Sequence, residues 1–173
     1  MAPARASLKF CPGCGTESVG GNSPRFFECA VCSYRLYLNP TVSACPLIFR
    51  EDGKILLVRR ARDPQKGLLG VPGGFVDAGE SVEEALKREL QEELKLAVTD
   101  WTFFGGWPNV YPYRGVSYDV LDLYFLVNVT GEITPEASEI VGFEWRDPKT
   151  LDSAEIAFSS LRAALASWRK RRA

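Results

Sequence analysis

The chain has 173 residues, 46% hydrophobic and 25% charged, an ordinary globular balance with room for one domain and a small module. It carries 21 Lys and Arg, 22 Asp and Glu, five Cys and no His, for a formal net charge of -1. Without His there is no Ser-His-Asp triad, no Cys-His dyad, no HExxH zinc protease and no two-cysteine, two-histidine finger. Acid-base chemistry falls to carboxylates, Lys, Tyr, Cys or a metal-activated water.

The charges are segregated. Residues 1–38 hold four basic side chains (Arg5, Lys9, Arg25, Arg35) and two acids (Glu17, Glu28). Residues 161–173 hold five basic and no acidic side chains, and residues 39–160 carry a net charge of -8. An acidic middle suits divalent cations better than nucleic acid. No stretch approaches the roughly 18 apolar residues of a membrane span. The N-terminus lacks the apolar core of a signal peptide. These features predict a cytoplasmic protein with reduced thiols, where paired cysteines favour metal over disulfide.

In chain order, residues 8–38 form the first module. Cys11-Pro-Gly-Cys14 and Cys29-Ala-Val-Cys32 are two C-x2-C knuckles, 14 residues apart. Two residues between thiolates let one tight turn aim both sulfurs at one ion. Cys11, Cys14, Cys29 and Cys32 thus make a four-thiolate shell for a structural Zn²⁺. Disulfide or redox roles are the alternatives, and nucleic-acid binding by the ribbon is a minor one. Tyr37-Leu38-Asn39-Pro40 marks a junction. It divides the chain into a zinc ribbon, 1–38, and a second domain, 39–173.

Thr41–Phe49 and Lys54–Val58 read as strands joined by a turn at Glu51-Asp52-Gly53. Cys45, inside the first, reads as a buried small hydrophobe. Arg59 and Arg60 end the second, where they either reach phosphates or cap the sheet edge. A Gly/Pro-rich loop runs from Asp63 to Gly74. Ser81–Leu94 is the clearest helix: Ser81 and Glu84 make a capping box, and Val82, Leu86, Leu90 and Leu94 form one apolar stripe. Ala97–Phe104, Ser117–Val129 and Ile140–Trp145 read as strands, with a loop at 107–115. Ala154–Arg171 reads as a closing helix whose cationic end suits the helix dipole and frays into solvent. The alternation predicts a layered α/β domain.

Six acids fall between Glu80 and Glu93. Glu89, Glu92 and Glu93 stand at i, i+3 and i+4 on one side of the helix, flanking the apolar stripe at about 100° per residue. Like charges at the edge of a core are costly, and a hard divalent cation such as Mg²⁺ or Mn²⁺ removes the cost. Pro72-Gly73-Gly74 brings bare backbone close by.

These residues resemble the Nudix box, Gly-x5-Glu-x7-Arg-Glu-U-x-Glu-Glu-x-Gly-U with U apolar. Gly74, Glu80, Arg88, Glu89, Leu90, Glu92, Glu93 and Leu96 match, and Lys95 stands where the box has Gly. The resemblance implies an α/β/α sandwich with a mixed β-sheet, preceded here by the ribbon. With the ribbon, the chain is similar to the NADH pyrophosphatase branch and to related FAD and ADP-ribose pyrophosphatases. That branch's Ser-Gln-Pro-Trp-Pro-Phe-Pro run is absent. Pro112 and Tyr113 match cues for ADP-ribose and for diadenosine polyphosphate hydrolases respectively, which conflict.

The implied activity is hydrolysis of a nucleoside diphosphate linked to another group X. Glu89, Glu92, Glu93 and a carbonyl of Gly73 or Gly74 would hold Mg²⁺ or Mn²⁺. Glu93 is the leading candidate to activate water, and Arg88 would position the carboxylates. Gly73, Trp107, Tyr111, Tyr113 and Glu139 are candidate substrate contacts, Glu139 also a second base or ligand. The expected partner is a small nucleotide, with a homodimer possible and nucleic acid not expected. The competing reading is a nucleotide-sensing or nucleic-acid-binding regulator, for which the basic tail Arg169-Lys170-Arg171-Arg172 is the best feature.

Overall fold

A computed structural model describes residues 2–3, 8–17, 23 and 25–172. Arg5, counted above among the basic side chains, lies outside them. In chain order the described residues form β1 (Ala2–Pro3), β2 (Phe26–Glu28), β3 (Arg35–Tyr37), β4 (Thr41–Leu47), β5 (Ile55–Arg60), β6 (Leu69–Gly70) and β7 (Gly74–Phe75). Helix α1 (Val82–Leu94), β8 (Ala97–Tyr113), β9 (Val116–Thr130), β10 (Ile140–Arg146) and α2 (Ser159–Arg171) follow.

Two compact units emerge, Met1–Pro40 with Val110–Asp119, and Thr41–Asn109 with Val120–Ala173. The tip of the β8–β9 hairpin, Val110–Asp119, belongs to the first of these units. Its backbone pairing explains this, since Ala2 and Pro3 run parallel to Val116 and Ser117. In the same unit β2 and β3 pair antiparallel, and Phe27 packs with Cys11 and Cys29 in a small core.

In the second unit β4 runs parallel to β9 from Thr41↔Val120 to Leu47↔Leu126, and antiparallel to β7. A second sheet, β10-β5-β6, is antiparallel. Side chains alternate across strands, so each strand feeds two cores. Ala44, Ile48, Leu56, Val58, Phe125 and Val127 pack with Leu86, Leu90 and Leu94 of α1. Leu47, Ile55, Leu57 and Tyr124 pack with Leu161, Leu165 and Trp168 of α2. Each such leucine contributes about 1.5–3 kcal/mol by leaving water. The result is the expected α/β/α layering with a mixed sheet.

Three expected elements differ. The loop at 107–115 is strand through Tyr113, turning at Arg114 and Gly115, both at positive φ (46° and 84°). Pro108 and Pro112 suggest a loop, but among the described residues β8 pairs only with β9, and an edge strand tolerates a missing donor. The Asp63–Gly74 loop contains β6 and ends in β7. Helix α2 starts at Ser159, after a 3-10 turn at Ser153–Glu155, because the next residues are drawn out straight. Ile156 bridges Leu69, and the Ala157 N–H donates to the Leu69 carbonyl at 2.8 Å.

Candidate active site

Helix α1 is fixed at both ends. Ser81 accepts from the Glu84 N–H at 3.2 Å and the Glu84 carboxylate accepts from the Ser81 N–H at 2.7 Å, the predicted capping box. At the far end Lys95 is left-handed, at φ 59° and ψ 27°, so its backbone does what the box assigns to Gly.

Burying the leucine stripe turns Glu89 and Glu93 toward the strands. The Gly73 N–H donates to Glu93 Oε2 at 2.9 Å. Gly73 sits at φ 116°, and a Cβ there would lie 2.2 Å from the Ala44 carbonyl oxygen, so only Gly serves. A Cβ on Gly74 would lie 2.4 Å from Glu89 Oε1. The Pro72-Gly73-Gly74 segment therefore makes room for both carboxylates.

Arg88 holds the cluster from the other side. Its Nε and Nη2 donate to Glu80 at 2.9 and 3.0 Å, and Nη1 to Glu89 at 2.7 Å and Glu92 at 3.3 Å. Nη2 also donates to the Phe75 carbonyl at 3.0 Å, tying α1 to β7. These bonds hold the Glu80 carboxyl below the usual range. Glu89 goes the other way: burial pushes it up more than Arg88 pulls it down. Burial pushes Glu93 up to about 8, with the charges of Glu89 and Glu139 adding to the effect and the Gly73 N–H and Arg60 opposing it.

The three box carboxylates are unequal. The Glu89 side chain is 14% exposed and that of Glu92 is 61% exposed, so Glu92 stands at the mouth. Glu139 is brought to the site; it is ion-paired with Arg62, and its carbonyl accepts from the Ala61 N–H at 2.8 Å. The Trp107 ring, half-buried, packs against Phe104 and Tyr124 beside the α2-side core. Tyr111 and Tyr113 lie in the first unit with ring centroids 6.5 Å apart.

One buried polar group escaped the sequence reading. The Asp122 carboxylate, in β9, accepts from Ser43 of β4 and Ser160 of α2, and Ser160 also pairs with the Tyr124 hydroxyl at 3.0 Å. An Asp among Val120, Leu121 and Leu123 was its only signal. Cys45 is half-buried beside it, within hydrogen-bond reach of Ser43, and burial pushes its thiol up.

In the first unit the sulfurs of Cys11, Cys14, Cys29 and Cys32 lie within 4.8 Å of one another, the one compact ligand cluster among the described residues. Cys11 and Cys32 are 3.7 Å apart, as are Cys14 and Cys29. The Gly13 and Val31 N–H groups donate to the Cys11 and Cys29 sulfurs at 3.3 and 3.4 Å, the knuckle geometry the spacing predicts. The Thr16 side chain holds the Cys14 thiol down to about 6, while its cysteine neighbours and burial hold Cys32 up.

A glutamate-lined helix facing a glycine turn, inside an α/β/α sandwich, defines a class, and residues 39–167 match its family model, the NUDIX domain. The chain belongs to the Nudix family. It is 41% identical over 98 residues to an ADP-ribose pyrophosphatase of Methanocaldococcus jannaschii, covering 57% of this chain and 56% of that one. It is 30% identical over 141 residues to the NAD-capped RNA hydrolase NudC of Vibrio parahaemolyticus, covering 80% and 51%. The chain thus spans about half the length of these curated relatives. Among solved structures, the MutT NUDIX hydrolase from Burkholderia pseudomallei is 30% identical with a TM-score of 0.62, covering 75% of this chain and 98% of that one. The E. coli ORF135 protein, 24% identical with a TM-score of 0.63 over 79% of this chain and 93% of that one, shares the fold.

Proposed function

We propose that this chain is a divalent-cation-dependent pyrophosphohydrolase acting on a nucleoside diphosphate linked to X, with ADP-ribose and NAD-type or FAD-type dinucleotides as leading substrates. Water adds across the P–O–P bridge, giving a nucleoside monophosphate and a phosphorylated X. The observation that carries the reading is the Glu89–Glu93 pair, half-buried at the core edge, one clamped by Arg88 and the other by the Gly73 N–H. The names of the two curated relatives favour the same substrates.

Glu89, Glu92 and Glu93 offer hard oxygen donors that fit Mg²⁺ or Mn²⁺, with the Gly74 carbonyl as a further ligand. When bound, such a cation offsets the carboxylate charge, attracts the pyrophosphate and acidifies water. Arg88 orients Glu89 and Glu92. Glu93, held at Oε2, keeps its other oxygen to accept the proton of the attacking water. The four thiolates fit a structural Zn²⁺. A reducing cytoplasmic setting and a homodimer complete the reading, the latter checked by mass in solution.

The regulator reading draws on the basic tail, expected to fray. Instead Arg169 donates to the Pro148 carbonyl at 2.6 Å, Arg171 lies over Phe104 at 4.3 Å and Arg172 over Trp168 at 5.2 Å. No helix among the described residues is long and apolar enough to cross a membrane.

The test is a Mg²⁺- and Mn²⁺-dependent hydrolysis panel of ADP-ribose, NADH, FAD, nucleotide sugars and diadenosine polyphosphates, with products separated. Glu93→Gln should stay folded and lose at least about 10²-fold in turnover. Absence of turnover of every member would overturn the reading.

A further inference from the structure

Each knuckle of the first unit has one buried and one exposed cysteine. Cys11 and Cys29 are buried, Cys14 and Cys32 exposed. The buried member comes first and is fixed by its own turn. The Gly13 N–H donates to the Cys11 sulfur at 3.3 Å, and the Val31 N–H to the Cys29 sulfur at 3.4 Å. Backbone bonds close both turns: the Gly15 N–H donates to the Cys11 carbonyl at 2.9 Å, and the Ser33 N–H to the Cys29 carbonyl at 3.0 Å. The exposed member follows the turn and meets solvent.

The sulfurs make contact across the knuckles. Cys14 lies 3.7 Å from Cys29, and Cys32 lies 3.7 Å from Cys11. Each contact joins the exposed sulfur of one knuckle to the buried sulfur of the other. An oxidised thiol needs this arrangement to meet a resolving thiol. The exposed sulfur is open to an oxidant, and the buried one is held beside it.

We propose that the four cysteines are a hydroperoxide-sensitive site that oxidises to two cross-knuckle disulfides, Cys14–Cys29 and Cys11–Cys32, and gives up its zinc. In the first step the exposed thiolate attacks a peroxide oxygen. An S–O bond forms, the O–O bond breaks and, with one proton taken up, water leaves. In the second step the buried thiolate attacks that sulfur. An S–S bond forms, the S–O bond breaks and, with another proton, a second water leaves. Each pair gives two electrons to one peroxide. With all four sulfurs paired, no thiolate remains for a cation. The β2–β3 pairing and the packing of Phe27 with Leu8 and Leu36 do not depend on the sulfurs' oxidation state. The ribbon therefore keeps its shape and takes zinc back when a dithiol reduces it. The proposal rests on the zinc reading of the four thiolates.

The test is excess hydrogen peroxide on the zinc-loaded full chain. Free zinc is read with a chromogenic chelator. Remaining thiols are alkylated, and the unreduced peptides are mapped with fragmentation between the cysteines of each knuckle. About one zinc per chain should appear as the thiols of Cys11, Cys14, Cys29 and Cys32 are lost, with Cys45 still alkylated after unfolding. The links should be Cys14–Cys29 and Cys11–Cys32 within one chain, and dithiothreitol with added zinc should restore the metal. Links within a knuckle, links between chains, a Cys11–Cys29 link, or sulfinic and sulfonic acids in place of links would overturn the proposal. So would four intact thiols under peroxide that oxidises the chelator-treated chain. If the chain binds no zinc yet forms both links, the zinc reading falls and the pairing stands. If it binds zinc and links otherwise, only this proposal falls.

Discussion

Lys95 holds a left-handed backbone that any side chain makes costly, yet the helix exit is well formed around it. Its N–H reaches the Gln91 carbonyl and the Leu96 N–H reaches the Leu90 carbonyl, each at 3.2 Å, so the turn closes without Gly. Lys95→Gly should therefore raise stability by about 0.5–1 kcal/mol, read as a higher denaturant midpoint, with a small loss from the Nζ bond to the Glu92 carbonyl. Glu93 makes a pH prediction. Its carboxyl titrates near 8 in the fold and near the ordinary carboxylate value of 4.5 when unfolded. Below 4.5 both states hold the proton and nothing is lost; between the two values only the unfolded state gives it up. In chelator, stability should therefore fall by a few kcal/mol as pH rises from about 4.5 to 8, then level off. Thermal melts of Glu93→Gln should lack this slope, and Mg²⁺ should reduce it in the parent.

At the scale of the element, α1 was the most legible part of the chain. Its cap, stripe and carboxylate spacing are all local, and local patterns survive folding. What the spacing could not show is inequality: Glu89 and Glu93 turn inward and Glu92 does not, because Gly73, Gly74 and Arg88 decide it from outside the three positions. Gly74→Ala tests this. Its Cβ would meet Glu89 Oε1, so turnover should fall at least about tenfold while far-ultraviolet dichroism stays unchanged. β8 was illegible past Phe104, since two prolines imitate a loop and the strand's edge position is a tertiary fact. The start of α2 was hidden likewise, set by a bridge to Leu69 almost 90 residues earlier.

For the whole molecule, the layered class followed from alternating elements, and the thiolate cluster and the box glutamates were both visible as spacing patterns. The Asp122 network was not, because it depends on which face of a strand meets which helix. The thiolate cluster makes the global prediction: Cys11→Ser should lower bound zinc, measured by elemental analysis, from about one per chain to well below that.

The path of the chain between the two units has a further consequence. It leaves the first unit after Pro40, returns for Val110–Asp119 and leaves again. A chain begun at Thr41 would keep the hairpin tip and lose the strand that pairs with Val116 and Ser117, baring an edge open to aggregation.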